Sequence, residues 1–173
     1  IEADAIPDDI LAEMRDMGLF GLTMPEEYGG AGMNIAQYVR TIRELSYAMP
    51  CYRSITSINI GMVCSALKNG GTEAQKAEWL PRLAAGEIAS FGLTEPGSGS
   101  DLASLQLRAI SDGDHYVLDG SKIWTTHAQF ANRMFCLVRT STEGKAQQGI
   151  TFLLLDMATP GISVKPIITL AGE

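Results

Sequence analysis

Between Phe91 and Asp101 the chain reads FGLTEPGSGSD, a Thr, a Glu, a Pro and four small residues directly after an apolar segment. Gly97 and Gly99 lack the Cβ that keeps a ligand off the backbone, so main-chain N–H groups there could approach an anion. Thr94, Ser98 and Ser100 add hydroxyl donors, and Pro96 stiffens the start of the turn. An ordinary Gly/Ser turn between two strands uses the same residues, and composition alone does not separate the two readings. About 20 residues on, GSKIWTT brings Trp124 and Thr126. An indole is a large flat apolar wall, useful beside a planar ligand and equally at home in a β core. Glu95 and Asp101 are the carboxylates nearest this chemistry.

The composition narrows the field. A 173-residue chain with 46% hydrophobic and 19% charged residues has enough apolar material for a core. Its formal net charge of −7 argues against nucleic-acid binding, which requires a basic face. Cys51, Cys64 and Cys136 are widely spaced, form no CxxC pair and sit among apolar neighbours, which predicts reduced thiols in a reducing, cytoplasmic compartment. His115 and His127 lack paired ligand spacing, so no metal site is expected. No apolar run approaches the roughly 20 residues of a membrane span, and the acidic IEADAIPDDI is unlike a signal peptide. The missing initiator Met and the unclosed ITLAGE predict a fragment truncated at both ends.

The elements that must position these residues change character near Ala89. Before it the period is helical. PDDILAEMRDMG carries acidic residues in its first turn, an apolar stripe at Ile10, Leu11, Met14 and Met17, and a stop at Gly18. Asn34 predicts the cap of a second helix marked by Ile35, Tyr38, Val39, Ile42 and Leu45. A third helix, roughly from Arg53 to Asn69, is apolar on most sides and is expected to be buried all round. Gly70 and Gly71 break it. Thr72 and Gln75 then have capping-box spacing, and Pro81 is expected to kink or restart the last helix.

After Ala89 the period becomes two. LQLRAI, HYVLDG, SKIWTT, RMFCLVRT, GITFLLLD and GISVKPII read as strands, with Asp112-Gly113 and Asp119-Gly120 at two turns. The predicted fold is α+β. A helical domain over 1–88 is followed by an antiparallel β-barrel or sandwich domain over 89–173.

In that context the opening stretch resembles the signature of the acyl-CoA dehydrogenase family. GLFGLTMPEEYGGAG, GTEAQKAEWLPRLAAGE, LTEPGSGSD, YVLDGSKIWTT and GITFLLLDMATPGISV match the family in the right order over most of the chain. The resemblance implies FAD against the β domain beneath an acyl-CoA thioester. It places Phe91, Leu93 and Thr94 along the flavin, Gly99 and Ser100 near its diphosphate, and Ser100 on the substrate's pantetheine side. Trp124 would pack on the ring system, and Thr126 would hydrogen-bond to the nitrogen that accepts hydride. The implied reaction is α,β-dehydrogenation to a trans-2-enoyl-CoA, as in fatty acid β-oxidation. An electron-transfer flavoprotein or similar acceptor and a homo-oligomer, dimer or tetramer, are implied with it.

Glu95 and Asp101 look structural in this family, and the carboxylate base comes from a C-terminal helical domain. No catalytic residue is therefore assigned within the chain, which is expected to be inactive alone. Where the family often has Asn-Gly after the Thr, TTHAQFANR puts His127 and Ala128, which bears on acyl specificity. Flavin nitroalkane oxidases and monooxygenases share the architecture, and a degenerate binding module is a further alternative. Intact Thr94, Gly99, Ser100, Trp124 and Thr126 argue against the last.

Overall fold

A computed structural model describes residues 6–168. Among them, 6–89 with 163–168 form one compact unit and Ser90–Ile162 a second.

The first unit is helical. Helix α1 (Asp8–Asp16) starts after Pro7, with Asp8 and Asp9 at the positive end of its dipole, and buries Leu11 and Met14. Gly18 then turns the chain in the left-handed region at φ 68°. The following loop is anchored by buried Leu19, Phe20, Leu22 and Met24. Helix α2 (Ile35–Ala48) carries the expected cap, Asn34 accepting from the Ala36 and Gln37 amides while Gln37 reaches back to Asn34 N. Its apolar stripe is only partly covered: Tyr38, Ile42 and Leu45 are half-buried, whereas Ile35 and Val39 are exposed.

The third helical stretch starts earlier than expected because Pro50 occupies its first turn. It runs as α3 (Pro50–Ser57), a π turn (Ile58–Cys64) and α4 (Ser65–Gly70). It is not buried all round. Ile55, Ile60, Val63, Cys64 and Leu67 are buried, whereas Gly61, Met62 and Ser65 are exposed, so the stretch is amphipathic. The π turn carries Asn59 inward, where its amide donates to Leu83 O (3.1 Å) and accepts from Ala89 N (3.0 Å). Helix α5 (Glu73–Ala84) has the Thr72–Gln75 capping box and continues through Pro81 without restarting.

Among the described residues every strand begins at or after Ala89: β1 (Ala89–Gly92), β2 (Arg108–Asp112), β3 (His115–Asp119), β4 (Arg133–Arg139) and β5 (Ile150–Asp156). They form one sheet in the order β1-β4-β2-β3, with β5 also on β4. The α+β class holds, but the sheet is mixed. The β2–β3 and β4–β5 ladders are antiparallel, while β2 meets β4 in parallel at Arg108 and Arg139. Asp112 pairs with His115, so Gly113 (φ 64°) and Asp114 are the turn residues, one position later than predicted. The sheet's core is Leu107, Ala109, Cys136 and Val138, with Leu118, Met134, Leu153 and Leu155 packed against it.

Two predicted strands do not form. SKIWTT is a loop, and GISVKPII has no ladder. Pro166 deprives that last segment of an amide donor.

Candidate functional site

The opening stretch leaves β1 as an extended segment and closes on itself at Glu95–Ser98. Glu95 N donates to Ser98 O (2.9 Å) and Ser98 N to Glu95 O (3.1 Å), making a two-residue turn over Pro96 and Gly97. Buried Ser98 donates its hydroxyl to Asp101 O (2.9 Å), which also accepts from Ser104 Oγ (2.8 Å). Asp101 thus acts through its carbonyl.

Glycine is not used alike along this segment. At Gly92 a Cβ would lie 2.8 Å from Met134 Sδ, so packing explains it. At Gly97 and Gly99 a Cβ would meet nothing within 4 Å, and neither residue has a positive φ. The chain's own packing gives no reason for glycine there.

Glu95 is buried, and its carboxylate accepts from Gln106 N (2.6 Å), Leu107 N (3.0 Å) and Lys122 Nζ (2.8 Å). Burial by itself would push this carboxyl up. The Lys122 hydrogen bond, the two amides and the ammonium charge outweigh that and hold it below its ordinary value. It is a structural anion, as expected, but it fastens the start of β2 in addition to its own turn. Lys122 was not singled out in the sequence. A lysine inside SKIWTT looks solvated, yet its side chain is only 5% exposed. It also donates to Leu93 O (3.0 Å).

The loop after Lys122 lies beside the signature. Ile123 N donates to Thr94 O (2.8 Å), and buried Ser90 on β1 donates its hydroxyl to Thr126 O (2.8 Å). Two bonds thus hold the Trp124–Thr126 loop against 90–95. Trp124 sits at φ 60° and His127 at φ 61°. Such backbone is uncommon for bulky residues and persists only where surroundings enforce it. Trp124 is 68% exposed, so it is not a core aromatic, and Thr126 is exposed as well.

Of the predicted site residues, Leu93, Thr94, Trp124 and Thr126 are brought together through these bonds. Gly99 and Ser100 are exposed just beyond the turn. The Phe91 ring is stacked on Phe135 at 4.7 Å between centroids. His127 is half-buried, and burial pushes its imidazole pKa down. Among the described residues, no group of three or more His, Cys, Asp or Glu could hold a metal ion, and no helix is long and apolar enough to cross a membrane.

Two family models match in chain order: the acyl-CoA dehydrogenase N-terminal domain over residues 1–87 and the middle domain over 90–173. The chain belongs to the acyl-CoA dehydrogenase family. A curated relative, the (2S)-methylsuccinyl-CoA dehydrogenase of Cereibacter sphaeroides, is 41% identical over 96% of this chain and 30% of its own length. Butyryl-CoA dehydrogenase from Megasphaera elsdenii superposes with a TM-score of 0.83 at 30% identity, covering 90% of this chain and 42% of that one. A glutaryl-CoA dehydrogenase from Mycobacterium smegmatis, solved in complex with FADH2, gives 0.82 at 34% identity, covering 94% and 40%. The chain therefore spans less than half the length of each of these dehydrogenase family members.

Proposed function

We propose that the protein carrying this chain is an FAD-dependent acyl-CoA dehydrogenase, and that residues 90–126 form its flavin-facing surface. The observation that supports this most is the pairing of Thr94 with Ile123 next to an exposed, left-handed Trp124. That pairing puts a flat apolar wall and an exposed hydroxyl, Thr126, on one loop held beside the signature. The residues suit the cofactor: the indole takes an aromatic ring system, and Gly97 and Gly99 leave open the space an anionic diphosphate needs. Bound FAD would supply the two-electron acceptor for oxidising an acyl-CoA thioester to the trans-2-enoyl-CoA.

The chain's own share is binding and orientation. Leu93 and Thr94 line the ring's edge with backbone, and Trp124 excludes water from one face. The Thr126 hydroxyl stands where charge develops on the ring, and Gly99 with Ser100 meets the diphosphate and the pantetheine arm. Glu95 is already committed to Lys122 and two amides, so no residue of this stretch is assigned the proton-abstracting base. We place the enzyme in the cytoplasm, or in the mitochondrial matrix if its source is eukaryotic, a reading supported by the free thiols of Cys51, Cys64 and Cys136. An electron-transfer flavoprotein as acceptor and a homo-oligomer belong to the same reading.

The test is to purify the protein, record its visible spectrum, and add acyl-CoAs of several chain lengths and branchings without oxygen. A yellow preparation bleached by at least one thioester, with the enoyl-CoA recovered, is the expected result. A preparation that neither retains nor takes up FAD would overturn the reading.

A further inference from the structure

Lys122 and Glu95 are the most buried ion pair of the second unit, with side chains 5% and 7% exposed. Their bonds join three separate pieces of backbone. Lys122 Nζ reaches Leu93 O on the segment leaving β1, while the Glu95 carboxylate holds the Gln106 and Leu107 amides ahead of β2. One residue after Lys122, Ile123 N is bonded to Thr94 O, and two residues after it stands left-handed Trp124. A buried pair is weak evidence for stability in itself, because desolvating both charges offsets most of their attraction. Its worth lies in geometry: the ammonium bridges a carbonyl and a carboxylate through two charge-assisted hydrogen bonds that tie the two backbone segments together.

We propose that Lys122, clamped by Glu95, is a positioning residue that fixes the Trp124–Thr126 loop against the Leu93–Thr94 backbone. The indole wall and the Thr126 hydroxyl are thereby presented in register before any cofactor arrives. The inference extends the flavin-surface reading and rests on it only for its catalytic consequence.

The test uses Lys122→Met combined with Glu95→Gln, which removes both charges and leaves no buried ion alone. In the apo protein, exchange of the Ile123 amide should quicken tenfold or more, while amides of the β4–β5 ladder keep their protection. In the holoprotein, anaerobic flavin reduction by acyl-CoA should slow at least tenfold and the visible flavin bands should shift. The acyl-CoA concentration for half-maximal rate should change less than twofold. Lys122→Arg, which keeps the charge but not the compact ammonium, should fall between parent and double variant in both readouts. If the double variant does not fold, Glu95→Gln alone carries the test, with at least threefold effects expected.

Unchanged Ile123 exchange, or equal loss of protection across β4–β5, would overturn the clamp. So would parent-like flavin reduction in a variant whose Ile123 amide is exposed. If the parent itself binds no flavin, the flavin-surface reading fails, and the exchange data still decide the clamp.

Discussion

Glu95 is a carboxylate that the fold itself requires ionised. Its pKa is held below the ordinary carboxylate range in the folded state, against about 4.3 in the unfolded chain. The stability it contributes is fully present above the unfolded value and is lost as pH falls through the folded one. Glu95→Gln should therefore lower the thermal midpoint by several degrees at pH 7, and the deficit should shrink below about pH 4 as the parent's carboxyl protonates. Melts at pH 7, 5, 4 and 3 check this. A deficit constant across the series would mean that the pair's charge is irrelevant to its role.

The signature's role as a tight turn was legible in its residue types. Lys122 was not, because a buried lysine announces itself only through a partner 27 residues away. The same partner explains why SKIWTT is not a strand. Its β-branched and aromatic residues favour extended pairing, but the Lys122 bonds and the Thr94–Ile123 bond pull it into a left-handed bend at Trp124.

Among the elements, those with local signals were readable and those set by tertiary contacts were not. The Asn34 cap, the Thr72–Gln75 capping box and the two-residue period after Ala89 were visible because each rests on neighbours in sequence. The π turn at Ile58–Cys64 left no local mark. It exists where Asn59 must meet Leu83 O and Ala89 N, 24 and 30 residues on. Asn59→Ala takes the side-chain acceptor from the buried Ala89 amide, while Leu83 O keeps its bond from Gly86 N (3.1 Å), and should cost about 1–3 kcal/mol. Chemical denaturation with an unchanged m-value checks the magnitude. A loss under about 0.5 kcal/mol would show that water or an altered helix serves the Ala89 amide.

On the scale of the whole molecule, the family assignment covers both parts of the chain in order, and three free thiols spread across them report on packing. Burial pushes the Cys64 thiol up to about 12 and the Cys136 thiol to about 11. The thiolate fraction falls about a thousandfold at Cys64 and about a hundredfold at Cys136. Half-buried Cys51 should thus react with a disulfide reagent well before the other two in the native protein, and all three should react together in denaturant. Peptide mapping of the labelled protein distinguishes the sites.

The central claim, that residues 90–126 form a flavin-facing surface, is tested most directly by separating retention from reactivity at two neighbouring residues. FAD affinity and single-turnover anaerobic reduction by the best acyl-CoA substrate would be measured for the parent, Trp124→Ala and Thr126→Ala. A stacking wall acts in the resting complex, whereas the hydroxyl's bond strengthens as charge moves onto the ring. The prediction is that Trp124→Ala weakens FAD binding about tenfold or more, while Thr126→Ala slows reduction about tenfold or more and shifts affinity less than threefold. If both variants bind FAD and are reduced like the parent, the surface described here is not where the flavin lies.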